Sequence, residues 1–139
     1  MSAKAFVDTN VLVYAHDPSA GEKHRRAVSL VTELWESGSG CLSVQVLGEF
    51  YVIVTRKVPT PMEPGRAVQI MRDLAAWTVH EPAMDDVIGA VELQTRYGIS
   101  FRNATIVRSA FHLGCETLWS EDLNPGQVYD GVRVLNPFG

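Results

Sequence analysis

Apolar positions in this chain alternate between short unbroken runs and longer stretches with helical spacing, and that alternation predicts the architecture. Ala5-Phe6-Val7 is a compact apolar run that ends at Asp8-Thr9-Asn10, which predicts a buried strand opening onto a short helix to about His16. Asp17-Pro18-Ser19-Ala20-Gly21 reads as a loop. Ser19 with Glu22 three residues later reads as a capping box for a helix in which Ala27, Leu30, Val31 and Leu34 recur at helical spacing as far as Trp35. Cys41-Leu42-Ser43 predicts a second strand, with Ser43 capping a helix over 44 to about 55. That helix is apolar almost all round, at Val46, Leu47, Phe50, Val52, Ile53 and Val54, so burial on more than one side is expected.

Pro59, Pro61 and Pro64 mark an extended connection. Thr60-Pro61-Met62-Glu63 predicts a helix start, with the helix running to about Ala76. Trp77-Thr78-Val79 follows as a third strand. A helix from Met84 to Tyr97 begins with Asp85-Asp86, acids that suit the positive end of a helix dipole. Ser100 caps a further helix over 101 to 113, Thr117-Leu118-Trp119 is a strand, 120 to 131 a loop, and Val132-Arg133-Val134-Leu135 a last strand. Strands alternating with helices predict an α/β fold, a mainly parallel sheet covered by helices on both faces.

Length and charge narrow the picture. With 139 residues, 46% hydrophobic and 20% charged, the chain is expected to form a single domain over 1–139 that needs neither disulfides nor a structural metal to bury a core. Cys41 and Cys115 match neither a C-x-x-C nor a zinc-ribbon spacing and are expected as buried thiols. A net charge of -4 excludes binding to polyanions through bulk positive charge, though not through a local site. Neither a leader at Met1-Ser2-Ala3-Lys4 nor an apolar stretch of about 20 residues is expected, which places the protein in the cytoplasm with no membrane partner.

In a parallel α/β sheet, ligands bind beyond the carboxyl ends of the strands. Asp8 ends the first strand, Asp122 follows the fourth after Ser120-Glu121, and Glu49 lies about two turns into the helix after the second. Asn103 falls in the first turn of the helix that starts at Ser100. Two like charges ~4 Å apart repel by about 4 kcal/mol at an effective dielectric of ~20, so convergence of these acids calls for a cation. Mg²⁺ or Mn²⁺ suits oxygen ligands and can activate water and clamp a phosphate. Taken singly, each residue has a plainer role: Asp8 and Asn103 as helix caps, Glu49 as partner of a buried arginine, Asp122 as a solvated acid.

Phe6-Val7-Asp8-Thr9-Asn10-Val11-Leu12, Leu47-Gly48-Glu49-Phe50-Tyr51, Ile99-Ser100-Phe101 with Ile106-Val107, and the final Leu118-Trp119-Ser120-Glu121-Asp122-Leu123 with Val128 to Phe138 occur in this order. In these motifs the chain resembles the PIN-domain family, and within it the VapC-type ribonuclease toxins of toxin–antitoxin pairs. The resemblance implies a three-layer α/β/α sandwich with a short, mainly parallel sheet, and an acidic pocket that binds Mg²⁺ or Mn²⁺ and hydrolyses RNA. It implies Asp8 as a metal ligand, Glu49 as an outer ligand or water-orienting base, Asp122 as a further ligand or supporting acid, and Thr9 and Ser120 as hydroxyl supports. It also implies a homodimer and a VapB-type antitoxin that inserts a basic segment into the pocket.

One motif departs from that pattern. Where the family carries an aromatic residue followed by aspartate, this chain reads Arg102-Asn103. Asn103 offers an oxygen without charge and Arg102 adds a cation, making the neighbourhood less negative by two units and weakening the expected metal site. The alternative is a silenced PIN-fold module that binds antitoxin or RNA.

Other signals are weaker. Lys23-His24-Arg25-Arg26 reads either as a solvated helix face or as a phosphate grip, and the four histidines show no metal-ligand spacing. Trp35, Trp77 and Trp119 are expected in packing. The chain has no P-loop, no G-x-G-x-x-G, no G-x-S-x-G elbow, and no second aspartate two residues after Asp8 of the kind used by haloacid-dehalogenase-type phosphatases.

Overall fold

The computed structural model describes residues 3–139; Met1 and Ser2, half of the stretch expected to carry no leader, lie outside the described residues. The elements run β1 (Ala5–Val7), α1 (Thr9–Tyr14), α2 (Glu22–Ser37), β2 (Gly40–Ser43), α3 (Val44–Arg56), α4 (Pro64–Leu74), β3 (Thr78–His80), α5 (Met84–Tyr97), α6 (Phe101–His112), β4 (Thr117–Trp119), β5 (Val128–Tyr129) and β6 (Val132–Leu135). Six strands form one sheet in the order β3-β2-β1-β4-β6-β5, all parallel except β5.

Right-handed crossovers set the layers. The chain moves outward from β1 to β2 to β3 through α1 to α4, then returns through α5 and α6 to β4 on the other side of β1. The two groups of helices therefore cover opposite faces. Both faces being covered explains why β1 and β2 are buried at every position. The strand order reverses between β1 and β4, and the register Val7↔Trp119 brings their carboxyl ends level. A crevice at that reversal is where such sheets bind ligands.

Most elements match the hydrophobic pattern. Ser43 caps α3 by accepting from the Val46 N–H at 3.2 Å, and Ser100 caps α6 by accepting from Asn103 N–H at 3.1 Å. Cys41 and Cys115 are buried free thiols. Trp35 and Trp77 pack edge to face, 5.6 Å between centroids. Among the described residues no helix is long and apolar enough to cross a membrane.

Four expectations need correction. The Ser19–Glu22 capping box does not form: Asp17 instead caps a short 3₁₀ turn over Pro18–Ala20, and Gly21, at φ +63°, precedes α2. Helix α4 starts at Pro64 rather than Pro61, since proline at either position satisfies the same rule for a first turn. Helix α3 is fully buried only along Val46, Phe50 and Val54, with Leu47, Tyr51 and Ile53 partly buried against the core on either flank, while Val44 and Val52 stay exposed, so its apolar character does not extend burial all round. The stretch 120–131 is not all loop: Val128 and Tyr129 pair antiparallel with Arg133 and Val132 around Asp130-Gly131. Both turn residues have positive φ, 47° and 87°, as a two-residue hairpin of the type favoured by Asp-Gly requires.

Two glycines separate packing from propensity. A Cβ at Gly40 on β2 would lie 2.5 Å from the Trp77 ring, whereas one at Gly48 on α3 would meet nothing within 4 Å. Gly40→Ala is therefore expected to destabilise the fold by about 1–3 kcal/mol through overpacking, and Gly48→Ala to stabilise it by about 0.5–1 kcal/mol through helix propensity. Urea denaturation of both variants checks the opposite signs.

Candidate functional site: an acidic pocket filled by an arginine

Asp8 stands where β1 hands over to α1. Its N–H donates to the Trp119 carbonyl of β4 at 2.9 Å, which fixes it at the sheet's reversal point. Its carboxylate is fully buried. Oδ1 accepts from the Thr9 N–H at 2.7 Å, so the expected helix cap is real, and Oδ2 accepts from the Ser120 hydroxyl at 2.7 Å. Ser120 in turn accepts from the Asp122 N–H at 3.1 Å, shaping the loop that carries Asp122.

Glu49 projects from α3 towards the same point. The Thr9 hydroxyl donates to its Oε1 at 2.6 Å, and Gln45 Nε2, one turn back on α3, donates to its Oε2 at 3.4 Å. Asp122 is half exposed and accepts from Asn10 Nδ2 at 3.0 Å. The structure thus brings together Asp8, Thr9, Glu49, Ser120 and Asp122. Asn103 also reaches the pocket edge.

The cation at their centre is Arg102. Its guanidinium offers one fork to each of two carboxylates: Nε and Nη2 donate to Glu49 at 3.3 and 2.6 Å, while Nη1 and Nη2 donate to Asp8 at 3.3 and 2.9 Å. Nη1 also donates to Asn103 Oδ1 at 3.2 Å, and Nη2 to Thr9 Oγ1 at 3.0 Å. Asp122 Oδ2 lies 3.8 Å from Nη1, within ion-pair range but beyond hydrogen-bond range. Bidentate guanidinium–carboxylate pairs are the strongest of these contacts, and here one side chain makes two.

The charges respond accordingly. Burial opposes ionisation of Glu49, but hydrogen bonds from Arg102 and Thr9 with the Arg102 charge outweigh it and hold the carboxyl below its ordinary value. Burial likewise disfavours the charged form of Arg102, yet Glu49 and Asp8 raise its pKa further above the ordinary value.

A groove of about 520 Å³ leads away from this cluster. Glu49, Asp122 and Arg102 line one end, Val52 and Ile53 form an apolar wall, and Lys57 stands along it. The groove explains why the apolar α3 keeps Val52 exposed.

Sequence reasoning named Asp8, Thr9, Glu49, Asn103, Ser120 and Asp122, but not Asn10 or the central place of Arg102. It read Arg56-Lys57 as cations suited to the C-terminus of α3 in preference to a nucleic-acid patch, and Lys57 lines the groove. Arg102 follows the Ser100 cap by two residues and shares a turn with Asn103, which was the available signal. In the basic run Lys23 pairs with Glu121, Arg25 and Arg26 with Glu22, and the His24 ring bonds the Tyr14 carbonyl, all three cations staying exposed.

Comparison with known proteins decides the family. The sequence matches the PIN domain over residues 5–130. The chain belongs to the PIN domain family. Solved structures share this PIN fold over nearly full length. A toxin–antitoxin complex from Klebsiella pneumoniae has TM-score 0.68 and 19% identity, covering 96% of this chain and 98% of that one. VapC20 of Mycobacterium tuberculosis, a sarcin-ricin loop cleaving toxin, has TM-score 0.66 and 22% identity over 86% and 92%. VapBC2 from Rickettsia felis, bound to a promoter DNA fragment, has TM-score 0.67 and 17% identity over 95% and 97%. No curated protein matches by sequence.

Removing Arg102 would leave a fully buried aspartate without its counter-charge. Arg102→Met is expected to lower stability at pH 7 by about 2–4 kcal/mol, less than a fully buried pair because the arginine is part exposed. Glu49 has a depressed folded pKa, so its contribution is present above its ordinary 4.5 and is lost as pH falls below that. The gap between wild type and Arg102→Met in urea denaturation should therefore narrow below about pH 4.5.

Proposed function

We propose that this PIN domain is a VapC-like endoribonuclease toxin whose metal-dependent cleavage of RNA is suppressed by Arg102 and Asn103. The observation that carries the proposal is the double fork of Arg102 on Asp8 and Glu49, at the point where the pocket would take its cation.

Asp8, Glu49, Asp122 and Asn103 present hard oxygen donors of the kind Mg²⁺ and Mn²⁺ prefer. With Arg102 in place, these residues do not fit a metal ion. The guanidinium bonds both oxygens of Asp8 and both of Glu49, and it also takes the Asn103 carbonyl. An entering ion would have to displace a cation whose own charge already satisfies the two more buried of the pocket's three acids.

RNA as the substrate class is supported by the likeness to a sarcin-ricin loop cleaving toxin and by the groove, where Lys57 could meet a phosphate. A VapB-type antitoxin is the proposed partner, supported by neighbours solved with antitoxin. Three carboxylates and one guanidinium leave the pocket negative, which suits a basic antitoxin segment. A homodimer and a cytoplasmic location complete the reading.

The same arginine favours a second reading, a silenced module that acts through antitoxin or RNA binding alone. Incubating structured RNAs with Mg²⁺ or Mn²⁺ separates the two. The chain as it stands should cut weakly, and Asn103→Asp alone should add little because Arg102 still fills the pocket. The double variant Arg102→Phe with Asn103→Asp should cut at least about tenfold faster, a change of ~1.4 kcal/mol in the barrier, and lose that gain on Asp8→Asn. A folded double variant that never cleaves would favour the silenced module, and a wild type as fast as the double variant would end the suppression account.

A further inference from the structure

The described residues hold another convergence of metal-ligating side chains, far from the carboxylate pocket and unused by it. His80 is the last residue of β3, Asp86 sits in the first turn of α5, and His112 is the last residue of α6. One ligand atom from each lies within 4.8 Å of the others. His112 is ten residues beyond Arg102 on the same helix, about 15 Å along its axis at ~1.5 Å per residue.

We propose that His80, Asp86 and His112 bind one transition-metal ion of the zinc class. His80 Nε2 lies 3.2 Å from Asp86 Oδ2, and His112 Nδ1 lies 3.4 Å from Asp86 Oδ1. The two imidazoles stack, 4.2 Å between centroids at 21°, and each has a nitrogen near the Asp86 carboxylate; the half-exposed His112 ring would turn out of the stack for both lone pairs to meet one ion. Two imidazole nitrogens and a carboxylate oxygen suit Zn²⁺, Co²⁺ or Ni²⁺ rather than Mg²⁺, and three protein ligands leave room for water.

The surroundings hold these groups in place. His80 is 4% exposed, and its other ring nitrogen, Nδ1, bonds the buried Ser109 hydroxyl at 2.8 Å. A hydrogen bond at the far nitrogen is how proteins orient a ligating imidazole. That hydroxyl can accept as well as donate, so it can accept a hydrogen bond from Nδ1–H when Nε2 binds metal. The Ala83 N–H donates to Asp86 Oδ2 at 2.8 Å and fixes the carboxylate. His112 is half exposed and forms the mouth through which an ion enters.

Arg108 stands in for the missing charge. Its Nε donates to Asp86 Oδ1 at 3.0 Å, while its guanidinium carbon lies 5.6 Å from the Phe111 ring centre. Metal binding would release Arg108 from Asp86, and the contact it already makes with the Phe111 face would remain. Neither histidine sits in a recognisable sequence spacing, since the ligands come from three separate elements. The dipole explanation for Asp85-Asp86 also falls short for Asp86, which is 6% exposed and bonded to other elements.

Calorimetric titration of the metal-free full chain with Zn²⁺, and visible absorption with Co²⁺, tests the site. One equivalent is expected to bind, with absorption that indicates nitrogen ligation. His112→Ala and His112→Gln, both at a half-exposed position and checked for folding by circular dichroism, should weaken binding more than tenfold. Ser109→Ala, which removes no ligand, should weaken it by about tenfold, and Asp122→Ala should leave it unchanged. Absence of Zn²⁺ binding, binding indifferent to both His112 variants, or binding lost in Asp122→Ala would each overturn the proposal.

Discussion

The site depends on one constraint: a fully buried carboxylate at the reversal point of a parallel sheet must have a positive partner. Asp8 cannot be solvated, and Glu49 is close enough to share its guanidinium partner. Leaving such a charge unpaired costs several kcal/mol, so some cation has to occupy the space between them. In this chain the cation is covalently part of the protein. Arg102 meets the requirement with two forks, and the hydroxyls of Thr9 and Ser120 take up lone pairs that the guanidinium does not reach.

Topology explains why these residues meet at all. β1 and β4 run side by side in register, and the chain leaves β1 into α1 and β4 into the Ser120–Asp122 loop at the same edge. α3 follows β2 on one face and delivers Glu49, while α6 lies on the other face and delivers Arg102 from its first turn. The pocket is therefore assembled across the sheet edge from four separate segments. Because Arg102 on α6 bonds Glu49 on α3 and Asp8 at the end of β1, one side chain ties the two helical layers to the sheet. In this PIN domain the acids are gathered at the sheet's reversal point, and Arg102 is the cation that they hold.

Much of this was legible in the residues. Asp8, Glu49 and Asp122 were visible as polar residues at strand ends or on an otherwise apolar helix, positions where burial of an acid needs a reason. The plainer possibility that Glu49 pairs with an arginine also holds, though Arg102 is part exposed rather than buried, and alongside the place of Glu49 in the pocket rather than instead of it. The direction of Arg102 could not be read, because residues 102 and 103 both fall near the mouth and only the rotamer decides which one enters. The hairpin at Asp130-Gly131 carried its turn signal openly, yet a two-residue strand is too short for periodicity to reveal. The His80, Asp86 and His112 cluster left no trace, since long-range contacts among three elements have no fixed spacing.

The central claim is that Arg102 occupies the place of a divalent ion. Calorimetric titration of Mg²⁺, an ion that oxygen-rich sites take in preference to histidine clusters, into wild type and Arg102→Met tests it most directly. The account predicts that Arg102→Met binds Mg²⁺ at least about tenfold more tightly, a gain of ~1.4 kcal/mol, and that Asp8→Asn abolishes that gain. Equal Mg²⁺ affinity in wild type and Arg102→Met, with both folded, would contradict it.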